Sequence, residues 1–100
     1  MLLTGDVIDA QEALRIGLVN AVVPAGELLA SVRRLLQTIL AQAPTAVALC
    51  LDAVDRGLGM GLDDALTLEA SYFGLCAATA DMREGTSAFL EKRPAKFTGA

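Results

Sequence analysis

Apolar side chains recur at three- and four-residue steps through most of this sequence, and a glycine or proline interrupts the pattern before any one stretch grows long. That spacing gathers the apolar side chains onto one stripe of an α-helix, so the chain is restricted to a set of short helices. The stripe is clearest over residues 27–43. Leu28, Val32, Leu35, Leu36, Ile39 and Ala43 share a face there, while Glu27, Arg34, Gln37 and Gln42 fall elsewhere. Pro44 ends that helix and suits the first turn of the next. The next is expected over residues 45–56, with Val47, Leu51 and Val54 on one face. Gly57-Leu58-Gly59-Met60-Gly61 is a flexible joint. It follows no strand and fits neither nucleotide-binding glycine pattern, so it is not a phosphate loop.

A third long helix is expected over residues 62–78, its first turn carrying Asp63 and Asp64, where acids complement the positive end of the helix dipole. Leu66, Tyr72 or Phe73, Leu75 and Cys76 suit burial, and Gly74 marks a close approach or a bend. Asp81-Met82-Arg83-Glu84 has capping-box spacing and opens a last helix to about residue 93, which Pro94 stops. Near the start, Asp9-Ala10-Gln11-Glu12 has the same spacing and opens a short helix through Ile16 that ends at Gly17. Leu18-Val19-Asn20-Ala21-Val22-Val23 reads as a brief strand or extended segment closed by Pro24. The expected fold is therefore mostly α: a compact helical module of about five helices and one short strand-like segment.

The apolar mass is unusual. The chain is 54% hydrophobic but only 4% aromatic, with a mean hydropathy of +0.51, so its apolar side chains are mainly Ala, Leu and Val. A domain of 100 residues has a high ratio of surface to volume and needs more polar cover than this. Some apolar surface is expected to lie against another domain or subunit. The longest unbroken apolar run, residues 46–51, is far short of the roughly 20 residues of a membrane span. No signal peptide is apparent, and a cytoplasmic location without membrane contact is expected. Cys50 and Cys76 then read as small buried thiols, not a disulfide.

All 12 acids and five of the eight bases lie in residues 1–91, leaving Lys92, Arg93 and Lys96 as an acid-free basic end. An acidic body argues against a nucleic-acid partner. The basic end is either a solvated tail or a seat for a phosphate-bearing small molecule. There is no histidine, which removes Ser-His and Cys-His nucleophile pairs and histidine metal sites. Two isolated cysteines make no zinc site. Asp63 and Asp64 are adjacent and diverge on a helix, Glu69 reads as a surface residue, and Glu12 and Glu84 are accounted for as caps. No carboxylate pair is left for acid–base work, so no catalytic residue, metal or cofactor is assigned.

The run Asp81-x-x-Glu84-Gly85-x-x-Ala88-Phe89-x-Glu91-Lys92-Arg93-Pro94-x-Lys96-Phe97 resembles the C-terminal signature of the crotonase family, the enoyl-CoA hydratases and isomerases. Leu2-Leu3-Thr4-Gly5-Asp6, Ala10-x-Glu12-Ala13 and Gly17-Leu18-Val19-Asn20-x-Val22-Val23-Pro24 are similar to the family segment that leads into its C-terminal helices. Ala43-Pro44 and the glycine joint also fall in place. The resemblance runs through essentially all 100 residues in order. It implies an α/β crotonase fold of which residues 1–100 are the C-terminal helical region, with the N-terminal spiral core absent.

The family polarises an acyl-CoA thioester with two backbone N–H groups and, in hydratases, uses two glutamates. Those elements belong to the spiral core, so the resemblance implies acyl-CoA as substrate only of the complete enzyme and an inactive chain by itself. It implies that Lys92 contacts CoA phosphates, often in a neighbouring subunit's site, and that Phe73 either borders the acyl pocket or packs in the core. Ala77 departs from an aromatic found in some relatives, which leaves acyl preference open. Assembly into trimers or paired trimers is expected. The alternative is a free-standing helical module for interaction or oligomerisation, with no enzymatic role.

Overall fold

A computed structural model describes residues 3–100; Met1 and Leu2, the latter the first residue of the Leu-Leu-Thr-Gly-Asp motif, lie outside the described part. The helices are α1 (Ala10–Arg15), α2 (Leu28–Leu40), α3 (Pro44–Gly57), α4 (Leu62–Ala77) and α5 (Ala80–Glu91), with a single 3-10 turn at Ala25–Glu27 before α2. No strand occurs among the described residues. The mostly helical class and the five helices agree with the periodicity. The strand-like reading of residues 18–23 does not: residues 18–20 bend, and residues 21–24 run without a ladder partner.

The chain divides into two compact units, Met1–Leu35 and Leu36–Ala100. In the first, the Asp9 side chain accepts the Glu12 N–H at 2.8 Å and caps α1 as its spacing predicts. Glu12 does not return the bond; it pairs with Arg15 one turn on, at 2.6 Å. Gly17 ends the helix with φ +75°. Its N–H donates to Leu14 at 3.1 Å and that of Leu18 to Ala13 at 2.9 Å, the paired closure that a left-handed residue permits.

In the second unit, α2 stops at Leu40, three residues before the expected end. The residue before a proline is pushed out of helical geometry, and Ala43 is extended at ψ 116°. Pro44 then takes the first position of α3, where its missing N–H leaves no bond unmade. Residues 58–61 turn the chain, and α3 packs against α4.

Burial departs most from expectation. Among the described residues only Ala13 and Ala88 are buried apolar side chains, whereas the whole α2 stripe from Leu28 to Ile39 is exposed. Leu51, Val54, Leu66, Phe73 and Leu75, expected to be covered, are also exposed. Cys50 is exposed and Cys76 half-buried; both thiols are free. The accessible surface is 8119 Å², against roughly 5,400 Å² for a self-contained globule of this mass. Periodicity identified the apolar faces correctly, but these residues do not supply what covers them.

Covering such faces stabilises by about 25 cal/mol per Å², so at micromolar concentration sedimentation should show oligomers or aggregates. A single monomeric species with a sharp thermal transition would contradict this.

Candidate functional site at the end of the last helix

The basic end of the sequence is built on α5. Thr79, not Asp81, caps this helix: its hydroxyl accepts the Met82 N–H at 3.1 Å and donates to the Cys76 carbonyl at 2.7 Å. At the other end, the N–H of Lys92 donates to Phe89 at 3.3 Å and that of Arg93 to Ala88 at 3.0 Å. This closure matches the one at Gly17, with a difference of residue. The left-handed position, φ 54° and ψ 40°, is occupied by Lys92. It is the one non-glycine residue with positive φ among those described. A Cβ in this region costs about 1–2 kcal/mol, so surrounding contacts must hold the turn.

Two carboxylates one turn apart supply them. Asp81 is 2% exposed; its oxygens accept the Thr98 and Gly99 N–H groups at 2.7 and 2.8 Å and the Thr98 hydroxyl at 3.3 Å. Its own N–H donates to the Ala100 carbonyl at 3.0 Å. Glu84 accepts both ends of the Arg93 guanidinium, at 2.7 and 2.9 Å, and the Lys96 N–H at 2.8 Å. Arg93 also donates through Nε to Glu91 at 2.6 Å. Residues 94–100 are thereby strapped back along α5. Gly85 makes room for them, since a Cβ there would stand 3.3 Å from the Phe97 ring. The strap ends at the start of α3, where the Thr45 hydroxyl donates to the Gly99 carbonyl at 3.3 Å.

These bonds favour the charged carboxylates. The Arg93 guanidinium and then the Lys96 N–H hold Glu84 down to about 2 from an ordinary 4.5. The Thr98 N–H, followed by that of Gly99, lowers Asp81. Arg93 is raised by Glu84 and then Glu91. Glu84, read from sequence as a capping residue, is therefore a clamp. Arg93 is neutralised, so the expected patch of three bases reduces to Lys92 and Lys96. Lys92 is exposed and has no ion-pair partner among the described residues. The missed signal was Thr79, three residues before the Met82 N–H that its hydroxyl caps, which frees Asp81 for another use.

Phe73 lies elsewhere, 73% exposed, in a groove of about 430 Å³ between α3 and α4 whose wall also includes Leu49, Cys50, Leu66, Tyr72 and Cys76. Core packing is therefore not its role within these residues. The Tyr72 hydroxyl donates to Asp52 across the two helices, and Arg56 pairs with the same carboxylate at 2.8 Å. Asp52 is lowered by the Tyr72 bond and then by Arg56, and Tyr72 is raised by donating to it. Lys92 is not part of this groove, so the two residues singled out by resemblance are not brought together. No cluster of three or more metal-ligating side chains occurs among the described residues, and no single helix is long and apolar enough to cross a membrane.

The carboxylates set a pH dependence. A carboxyl whose folded value is depressed stabilises fully above its unfolded value and loses that stabilisation as pH falls through the folded one. For Glu84 the window runs from 4.5 down to about 2. The melting temperature should fall across it, and less steeply in Glu84→Gln; identical slopes would contradict the clamp. Lys92→Gly should raise stability by about 0.5–1 kcal/mol, because relief of the left-handed strain exceeds the extra backbone entropy of glycine. A lower melting temperature in Lys92→Gly would contradict the strain.

The sequence model of the family described as enoyl-CoA hydratase/isomerase matches residues 1–100. A crotonyl-CoA hydratase of Syntrophomonas wolfei is 50% identical over 97 residues, 97% of this chain and 37% of that protein. A short-chain-enoyl-CoA hydratase of Clostridium acetobutylicum is 42% identical over 93 residues, 93% of this chain and 36% of that one. The crystal structure of an enoyl-CoA hydratase from Bacillus anthracis superposes with a TM-score of 0.88 at 34% identity, over 91% of this chain and 35% of that one. The chain thus spans little more than a third of the length of these relatives and corresponds to their C-terminal part. With every one of its 100 residues inside the match, the chain belongs to the enoyl-CoA hydratase/isomerase family.

Proposed function

We propose that these residues are the CoA-facing helical region of an enoyl-CoA hydratase or isomerase, in which Lys92 meets the phosphates of an acyl-CoA. The observation that carries this reading is the exposed, unpaired ammonium of Lys92 on a left-handed turn, in a chain whose whole length matches the family. A residue kept in a strained conformation that glycine would fill more easily points to a use for its side chain. A lysine serves a phosphate as a point charge on a flexible stem. Phe73, on the α3–α4 groove, borders the acyl chain in this reading. The oxyanion hole and paired glutamates come from residues outside these 100.

The exposed apolar faces of α2, α3 and α4 are then covered by the remainder of the enzyme and by neighbouring subunits, as trimers or paired trimers. A free-standing assembly module would use the same faces, but would leave the Lys92 turn without a purpose.

By itself the purified chain should not hydrate crotonyl-CoA in a direct spectrophotometric assay. Turnover that persists through purification and disappears on mutating an acid of this chain would contradict the division of labour. With the rest of the enzyme present, Lys92→Ala should raise KM for acyl-CoA by roughly several-fold to a hundred-fold with a smaller change in kcat, as for a contact remote from the reacting carbonyl. A pantetheine thioester, which lacks the nucleotide phosphates, should not respond to the substitution. Equal loss with both substrates would make Lys92 structural.

A further inference from the structure

We propose that Glu84 is a positioning residue for Lys92, acting through Arg93 to hold open the turn that presents the Lys92 ammonium to a phosphate; this rests on the reading of Lys92 given above. Glu84 does not reach the ligand. It grips Arg93, the residue directly after Lys92, by the two terminal guanidinium nitrogens at 2.7 and 2.9 Å. The same guanidinium is bound at 2.6 Å by Glu91, the residue directly before Lys92. The two neighbours of Lys92 are thus tied to each other, and Arg93 is tied to Glu84 about two turns back along α5, while the residue between them is left exposed at φ 54°. Glu84 also takes the Lys96 N–H at 2.8 Å, so the chain leaving the turn is fixed by the same carboxylate.

The two-nitrogen geometry explains the residue types. A guanidinium fork matches a carboxylate edge to edge and restricts orientation, whereas a lysine ammonium would not. The need for such a restraint follows from the strain at Lys92, which would relax towards ordinary helical or extended geometry once the grip loosened. Lys92 would then keep its charge but lose its place.

Charge alone predicts the opposite sign, and that makes the inference testable. Removing a carboxylate near a phosphate seat should strengthen phosphate binding through the field; if Glu84 positions Lys92, its removal weakens binding instead. The probe is adenosine 3′,5′-bisphosphate, measured by equilibrium dialysis at low salt on the full chain. Lys92→Ala should weaken binding. Glu84→Gln should weaken it about threefold or more, and the double variant should bind no worse than Lys92→Ala alone, since both act on one contact.

Arg93→Lys keeps the net charge, loses the fork, and should behave like Glu84→Gln. It also serves where Glu84→Gln is too unstable to measure. Deuterium exchange should show faster exchange in residues 92–100 of both variants, with the core of α5 unchanged. Unchanged or tighter binding in Glu84→Gln and Arg93→Lys, with Lys92→Ala still weakened, overturns the positioning role and leaves the Lys92 reading intact. Weakening by Glu84→Gln that persists in the Lys92→Ala background shows a general loss of structure and also overturns it. Absence of any Lys92→Ala effect removes the Lys92 reading itself and this inference with it.

Discussion

Once the left-handed turn at Lys92 has ended α5, no helix or strand satisfies the backbone N–H groups that follow, and two carboxylates on α5 do so instead. Buried or half-buried N–H groups must find partners. Asp81 and Glu84, three residues apart and hence on one face of the helix, accept those of Thr98, Gly99 and Lys96. Much of the local chemistry follows from this arrangement. The strap needs Gly85 beneath Phe97, carries its end to the first turn of α3, and fixes the left-handed turn at Lys92. It also determines which bases remain for a ligand, because Arg93 is consumed by Glu84 and Glu91.

A second constraint acts in the opposite direction. The helices are amphipathic, yet their apolar faces lie largely open to solvent. The α3–α4 pair is joined by packing and by the Tyr72–Asp52–Arg56 contacts, but between them runs a groove walled by Leu, Ala, Phe and Cys. An enzyme family in which this region is little more than a third of the whole accounts for both features at once. Polar contacts fix the turn at the end of α5, while the aliphatic faces of the helices stay exposed.

The helices were legible because the three- and four-residue period is a property of the residues alone, and their ends were displaced where local sterics overrode the period, as at Ala43 before Pro44. Burial was not legible in the same way: a stripe such as Leu28 to Ile39 tells which side is apolar and nothing about what lies against it. Asp81 and Glu84 were misread because acid-x-x-Glu spacing serves a cap and a clamp equally well. Only the position of Thr79 separates the two. For Lys92, the resemblance to the family drew attention to the residue, but no spacing rule indicated a lysine at a positive φ. The strain there, and the Glu84–Arg93 grip that holds it, became visible only with coordinates.

In the proposed reading the strapped turn at the end of α5 is a phosphate seat with Lys92 as its cation. A crystal structure of the chain with adenosine 3′,5′-bisphosphate tests it most directly. A phosphate should lie within hydrogen-bonding distance of the Lys92 Nζ, with Lys92 still left-handed and the Glu84–Arg93 pair intact. A nucleotide bound instead against Arg33 or Arg34 of α2, or bound at Lys92 with the strap released and the turn relaxed, would contradict it.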